Sequence, residues 1–333
     1  MRLTDDQLSL RDAVRRLLGK EPDSWPALTE LGAPALLVSP AAGGLGASLA
    51  EVFVVQYELG RTLAATPMLG SVLAATVLSD AGDQALLPRV AAGEVVALAW
   101  ASAAGWAEPA CTASRTADGW TVSGSAAYVL DGDTADLLLV VARTDDGPAL
   151  FEVDPARAVR THTPTMDEAR RMATVALDAT SARRIGPADL GRLRDVAGTA
   201  LAAEQAGTAA RCLELTVAYA GQRRQFGRPI GSFQALKHRM ADMHVLVETA
   251  ESAALAAALA PADELPLRAA VAQAHCAEAL HEVAGEMIQL HGGIAITWEH
   301  DAHRYFKRAH AGLHLFGPPA AHVERLAQLT GIR

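Results

Sequence analysis

Apolar positions fall into three textures along the chain. Up to about Gly93 they recur at helical spacing. Leu8, Leu10, Val14 and Leu17 form a roughly helical stripe behind Thr4. Thr4 and Gln7 make a capping box, in which the hydroxyl caps a backbone N–H and the glutamine reaches back. Gly43, Gly44 and Gly46 break the chain, and a second helical run is predicted from about Leu49 to Thr62. From about Val95 to Gly186 the texture turns to short strands: Trp120–Ser123, Leu137–Val141, Ala149–Val153 and Thr174–Leu177, with turn signals at Asp118-Gly119 and Asp131-Gly132. After Asp189 helical periodicity returns. Leu201, Thr208, Cys212, Leu215 and Tyr219 share one face, and Leu236, Met240, Met243, Val247, Ala250 and Ala254 another. A third helix from about Leu267 to His291 is stopped by Gly292-Gly293. The expected organisation is α+β: an N-terminal helical domain (1–93), a small middle β domain (94–188) and a C-terminal four-helix bundle (189–333), with three long antiparallel helices and a shorter fourth.

Composition narrows the function. The 333 residues are 50% hydrophobic and carry a net charge of −9, from 29 basic and 38 acidic side chains. That sign gives no global attraction to phosphate backbones, so nucleic acid is not an expected partner. Cys111, Cys212 and Cys276 are too few and too scattered for a disulfide framework or a CxxC metal site. No stretch approaches the ~20 apolar residues of a membrane span. The opening MRLTDDQLSL has acidic residues where a secretory signal has its apolar run. A cytoplasmic location is the expectation.

Four local features offer chemistry. The run Arg223–Ile230 reads as a turn between two long helices, and its guanidiniums could clamp a pyrophosphate; the plainer alternative is a solvated loop. In Gln289–Gly293 two glycines allow close approach of a ligand or another backbone, or serve as an ordinary helix C-cap. His291, His300, His303, His310 and His314 crowd together in sequence, and the last three are expected on one helical face. Without HExxH or a nearby cysteine they read as surface or interface histidines, with no metal site. Among Glu204, Glu214 and Glu248, Glu204 stands beside Ala203 and Gln205 and could point inward. It is a candidate proton abstractor, or else a structural carboxylate.

Taken together, the motifs Arg223–Gln234, Ala241-Asp242-Met243, Gln289–Gly293, Gly119–Gly124 and Glu58–Arg61 resemble the acyl-CoA dehydrogenase family over essentially the whole chain, in the right α–β–α order. The run Thr297–His303 resembles a subgroup acting on steroid-derived CoA thioesters. The resemblance implies FAD as cofactor, an acyl-CoA substrate losing a proton from its α carbon and a hydride from its β carbon, and an electron-acceptor flavoprotein. It also implies a flavin lying at a subunit boundary. By matching position, Arg223, Gln225, Phe226, Gln289, Gly292 and Gly293 resemble the residues that a neighbouring chain lends to the adenosine pyrophosphate.

Three departures shape the expectation. Gly317 stands where the C-terminal catalytic glutamate would be. The alternative base position falls near Val196-Ala197-Gly198, which has no acid; Asp195 and Glu204 are the nearest candidates. The family's Thr-Glu-Pro is missing near Trp100-Ala101-Ser102, with Glu108-Pro109 a displaced remnant, and its aromatic-X-Thr appears as Tyr128-Val129-Leu130. The resulting expectation is a subunit that completes the FAD site of a homologous catalytic chain in a heterotetramer, pairing through its C-terminal bundle. The alternatives are a self-sufficient homo-oligomer using Asp195 or Glu204, and a non-catalytic scaffold or acyl-CoA binder.

Overall fold

The computed structural model describes residues 2–21 and 24–332. The chain divides into two compact units. One draws on Met1–Pro22, Phe53–Ala64 and Gly198–Arg333; the other on Asp23–Val52 and Ala65–Ala197.

Helix α1 (Asp5–Leu18) starts at the capping box: Thr4 Oγ1 accepts the Gln7 N–H at 3.3 Å and Gln7 Oε1 accepts the Thr4 N–H at 2.9 Å. Its buried positions are Gln7, Val14 and Leu18. The expected stripe through Leu10 and Leu17 is displaced by part of a turn, because 7, 14 and 18 lie in line at 3.6 residues per turn. After α2 (Trp25–Glu30) comes α3 (Leu49–Thr62), the second expected helix. Helix α4 (Met68–Asp80) is buried continuously from Met68 to Leu78, and α5 (Leu87–Ala91) follows.

The β region holds more strand than the alternation reveals: β1 (Val96–Ala99), β2 (Cys111–Thr116), β3 (Gly119–Leu130), β4 (Leu137–Thr144), β5 (Gly147–Val153), β6 (Val159–His162) and β7 (Met172–Pro187). Strands β4, β2, β3, β7 and β5 pair in a closed circuit, with β5 returning to β4. Strand β1 runs parallel to β4 beside β2, and β6 adds to β7. Val122, Leu138, Val140, Phe151 and Val175 fill the centre. Closure removes the open edges that would otherwise recruit other strands.

Three long helices follow: α6 (Leu190–Gln222), α7 (Gln234–Ala258) and α8 (Leu265–His291). Between α6 and α7 lies a tiny hairpin, β8 (Arg224–Gln225) and β9 (Arg228–Pro229). Two shorter helices, α9 (Ala302–Gly312) and α10 (Pro319–Thr330), close the chain, one more than the expected four-helix count. The break comes at Phe316 and Gly317, both with positive φ, and Pro319 opens α10. Helices α3 and α6 cross closely: a Cβ on Gly60 would collide with the Glu204 carbonyl, and one on Gly207 with the Tyr57 carbonyl. The Glu58–Arg61 motif is explained by this crossing. Glu58, 2% exposed, takes two hydrogen bonds from Arg15 at 2.6 and 3.0 Å, and Arg61 grips Glu214 in two more at 2.8 and 2.9 Å.

Candidate functional site

The Arg223 turn is a hairpin built for display. Phe226 and Gly227 have φ of 50° and 77°, both in the left-handed region, as the two-residue turn joining β8 and β9 requires. Glycine takes this conformation freely; phenylalanine does so under strain. Phe226 is also 93% exposed, held only edge-on by Phe233 at 6.1 Å. Arg228 lies over the Phe233 ring at 4.0 Å, so it is already occupied. The Arg223 backbone is fixed at both ends: its N–H donates to Tyr219 O and its carbonyl accepts from Ile230 N–H, each at 2.8 Å. Among the described residues its guanidinium has no intramolecular partner. Among the described residues the Gln225 side chain bonds only the neighbouring Arg224 carbonyl, at 2.8 Å.

The second expected segment ends α8. Gly292 takes φ 65°, ψ −146°, which a side chain would resist, and a Cβ on Gly292 or Gly293 would meet nothing within 4 Å. The backbone here is bare and faces open space. Gln289 is exposed and has no hydrogen-bond partner among the described residues.

The two segments are brought together by rings. Tyr219, one turn before Arg223, stacks on His291 with centroids 4.4 Å apart and planes 25° from parallel. His300 meets the same imidazole at 4.5 Å. His291 is 4% exposed, so its expected place as a surface or interface histidine is corrected: it is a packed residue inside the ring cluster. Its Nδ1 lies 2.8 Å from the Met287 carbonyl, which can only accept, so Nδ1 carries the proton. Burial pushes its pKa down and the nearby His300 adds to this, against the Met287 bond. The expected shared face of His303, His310 and His314 is corrected as well: α9 ends at Gly312, leaving His314 beyond it. No group of three potential metal ligands occurs among the described residues.

The candidate bases have other occupations. Glu204 is buried on α6, where its Oε1 accepts from Arg308 Nη1 of α9 at 2.8 Å; the two side chains are 8% and 4% exposed. A carboxylate engaged this way ties helices together. Asp195, on the first turns of α6, is buried too. Gly317 has φ 115°, and a Cβ there would stand 3.3 Å from His322 Nε2, which itself bonds the Gly317 carbonyl at 3.2 Å. The backbone at this position therefore suits glycine, and a Cβ would need His322 to give by a few tenths of an ångström.

In the β unit, Trp100, Trp106 and Tyr128 form a wall. The buried Trp100 meets Trp106 edge-on at 5.1 Å, and its Nε1–H donates to the Trp106 carbonyl at 3.0 Å. Trp106 stacks with Tyr128 at 6.0 Å and 29°. Tyr128 has a φ of 55°, another strained non-glycine position. Leu130 is buried, and Glu108 is exposed. Asp131, next to Leu130, is pushed up to about 6 by burial, against the pull of Arg170. Sequence reasoning missed Trp106, whose only signal was its nearness in sequence to Trp100. It also missed the Tyr219–His291–His300 cluster, whose members were visible but assigned to separate features.

Comparison with known proteins concerns the chain as a whole. Residues 195–329 match the family model for the acyl-CoA dehydrogenase C-terminal domain. Acyl-CoA dehydrogenase IpdE2 of Mycolicibacterium smegmatis is 41% identical, the match covering 96% of this chain and 91% of the relative. IpdE2 of Mycobacterium tuberculosis is 40% identical over 96% and 90%. Among solved structures, a variant of the steroid acyl-CoA dehydrogenase Tcur3481–Tcur3483 superposes with a TM-score of 0.86 at 31% identity, over 98% of both chains. The ChsE4–ChsE5 complex from Mycobacterium tuberculosis gives 0.90 at 28% identity, over 100% of this chain and 99% of that one. Relatives 41% and 40% identical over 96% of the chain, together with the family model over residues 195–329, show that the chain belongs to the acyl-CoA dehydrogenase family.

Proposed function

We propose that this chain is the FAD-gripping subunit of a heteromeric acyl-CoA dehydrogenase, completing the flavin site of a homologous catalytic chain in a heterotetramer. Its substrate is a CoA thioester, and the likeness to Tcur3481–Tcur3483 and the Thr297–His303 run favour a steroid-derived acyl group. The likeness to a two-component complex, ChsE4–ChsE5, supports assembly with a related chain. The segments 1–93, 94–188 and 189–333 acting as domains, pairing through the C-terminal bundle, an electron-acceptor flavoprotein and a cytoplasmic location belong to the same reading.

The observation that carries it is Gly317. Glycine carries no acid, its φ of 115° is one that side chains rarely adopt, and a Cβ there would press on the His322 imidazole at 3.3 Å, so the proton acceptor that dehydrogenation needs is missing from this position. Other features agree. Glu204 is held by Arg308 in the helix interior. Leu130 has no hydroxyl to offer a flavin ring, and Tyr128, in the segment matching the family's aromatic-X-Thr, stacks on Trp106.

The adenosine end of FAD does fit. Arg223 presents a free guanidinium fork for pyrophosphate oxygens. Phe226 offers an open aromatic face. Gly292 and Gly293 leave space for a phosphate to approach the main chain. Gln289 adds an unpaired amide, and Gln225 retains amide donors and acceptors beyond its single bond. Bound FAD would supply the acceptor for the hydride of the substrate's β carbon. This chain's residues bind and orient its far end; the proton goes to the other chain.

The test is to purify the chain alone and again with a homologous acyl-CoA dehydrogenase chain from the same genome, and to measure bound flavin by absorbance. A colourless lone chain and a stoichiometrically yellow complex are expected. Full flavin and turnover in the lone chain would overturn the reading, and so would a complex without redox activity.

A further inference from the structure

The two flavin-gripping segments belong to different helices, and a grip works only if their spacing is held. A pyrophosphate clamp off by an ångström loses much of its binding energy, since charge-assisted hydrogen bonds depend steeply on geometry. Three rings occupy the junction. Tyr219 carries the Arg223 N–H on its own carbonyl at 2.8 Å, so the place of its ring and the start of the turn are set together. His291 directly precedes Gly292, and its ring plane is fixed by the Nδ1–H bond to Met287 at 2.8 Å. His300 packs tilted against His291 at 4.5 Å and edge-on to Tyr219 at 6.4 Å, and it anchors the entry to α9, its Nδ1 accepting the Ala302 N–H at 3.1 Å.

The chemistry of His291 is unusual for a mere filler. At 4% exposure its Nε2 is buried without a hydrogen-bond partner, a cost that leucine or phenylalanine would avoid. What imidazole adds over leucine is a flat face for Tyr219. What it adds over phenylalanine is the bond to Met287, which stops the ring from turning.

We infer that His291 is a positioning residue for the dinucleotide: the Tyr219–His291–His300 stack sets the separation of the Arg223 guanidinium from the Gly292-Gly293 backbone, and with it how tightly this chain holds FAD. The inference rests on the proposal that these two segments grip FAD, but not on which chain holds the isoalloxazine ring.

The test is a double-mutant cycle read by FAD release. In the flavin-loaded assembly, His291→Ala is expected to speed FAD release about tenfold. In that background Arg223→Ala is expected to add little, because a guanidinium out of position has little left to lose. Multiplicative effects of the two substitutions, or release at the parent rate in His291→Ala, would overturn the inference. A purely structural histidine would lower the melting temperature of the flavin-free chain and leave the coupling with Arg223 at zero. His291→Phe keeps the stack and serves if the alanine variant does not fold. It is expected to stay within a few-fold of the parent rate and keep the Arg223 coupling; a release rate as fast as that expected of alanine would count against stacking.

Flavin content of the parent protein is measured first. If the lone chain already holds FAD, the heteromer proposal falls, yet the same cycle on that protein still decides the role of His291. If neither preparation holds FAD, both fall.

Discussion

Two aromatic side chains sit in the same strained backbone conformation and differ in how much of the chain packs against them. Phe226, at φ 50°, projects from its hairpin 93% exposed, touched only by the edge of Phe233. Tyr128, at φ 55° and 40% exposed, stacks one face on Trp106, which is backed by the buried Trp100. Left-handed backbone at a non-glycine residue costs of order 1 kcal/mol or more and persists where the surroundings or a function require it. Around Tyr128 the chain itself supplies the return, in ring stacking. Around Phe226 it supplies none, which points to a ligand or another chain as the missing contact. The same division runs through the charged groups: Glu204 and Glu58 are consumed internally, and Arg223 is left free.

If that division is correct, removing a consumed group costs stability and removing a free one costs cofactor. The largest effect is expected at Glu204. Glu204→Ala leaves Arg308 charged and buried, and stability measured by chemical denaturation should fall by about 3–5 kcal/mol. Adding Arg308→Leu should recover most of the loss; a stable single variant would show that the pair does not hold the helices.

Asp131 tests the β unit. Burial raises its carboxyl from the ordinary 3.8 to about 6. The folded state therefore favours the protonated acid. As pH rises from 3.8 to about 6 the unfolded chain gives up its proton first, and stability falls across that window. Above it the loss is about 2–3 kcal/mol. Asp131→Asn removes the ionisation and suits the φ of 52°. Denaturation at neutral pH should show a gain of that size, shrinking to nearly nothing below 3.8. A gain independent of pH would refute the cause.

Arg223→Ala reverses the pattern. The flavin-free chain should melt as the parent does, while FAD affinity in the assembly drops roughly ten- to hundredfold, the loss of one or two charge-assisted hydrogen bonds. Equilibrium flavin titration reads the second quantity and calorimetry the first.

The smallest effects address the two aromatics directly. Asparagine tolerates left-handed backbone better than either ring residue. Phe226→Asn should leave the flavin-free chain unchanged or more stable by up to about 1 kcal/mol, and Tyr128→Asn should destabilise it by about 1 kcal/mol through the lost stack. Equal effects at both positions would remove the contrast.

Much of this was legible from periodicity and punctuation. The capping box at Thr4, the long helices and the glycine stop after His291 are local properties, written in neighbouring residues and realised as read. Strand β1 escaped notice because Val96–Ala99 is buried on both faces and does not alternate. The start of α10 escaped because it depends on two positive φ values at Phe316 and Gly317 rather than on a pattern.

By itself the sequence determined the order of helical and strand-rich segments, the family, and the bare fact that position 317 lacks an acid. Spacing along one chain suffices for these, because helix caps, turns and motif strings are set by residues a few positions apart. Only the tertiary structure decided that Glu204 is spent on Arg308, that Trp106 stacks on Tyr128, and that Tyr219, His291 and His300 form one cluster. Those pairings join residues tens to a hundred positions apart in the chain or turn a ring against an unexpected neighbour, and burial and ring geometry exist only once the elements have packed.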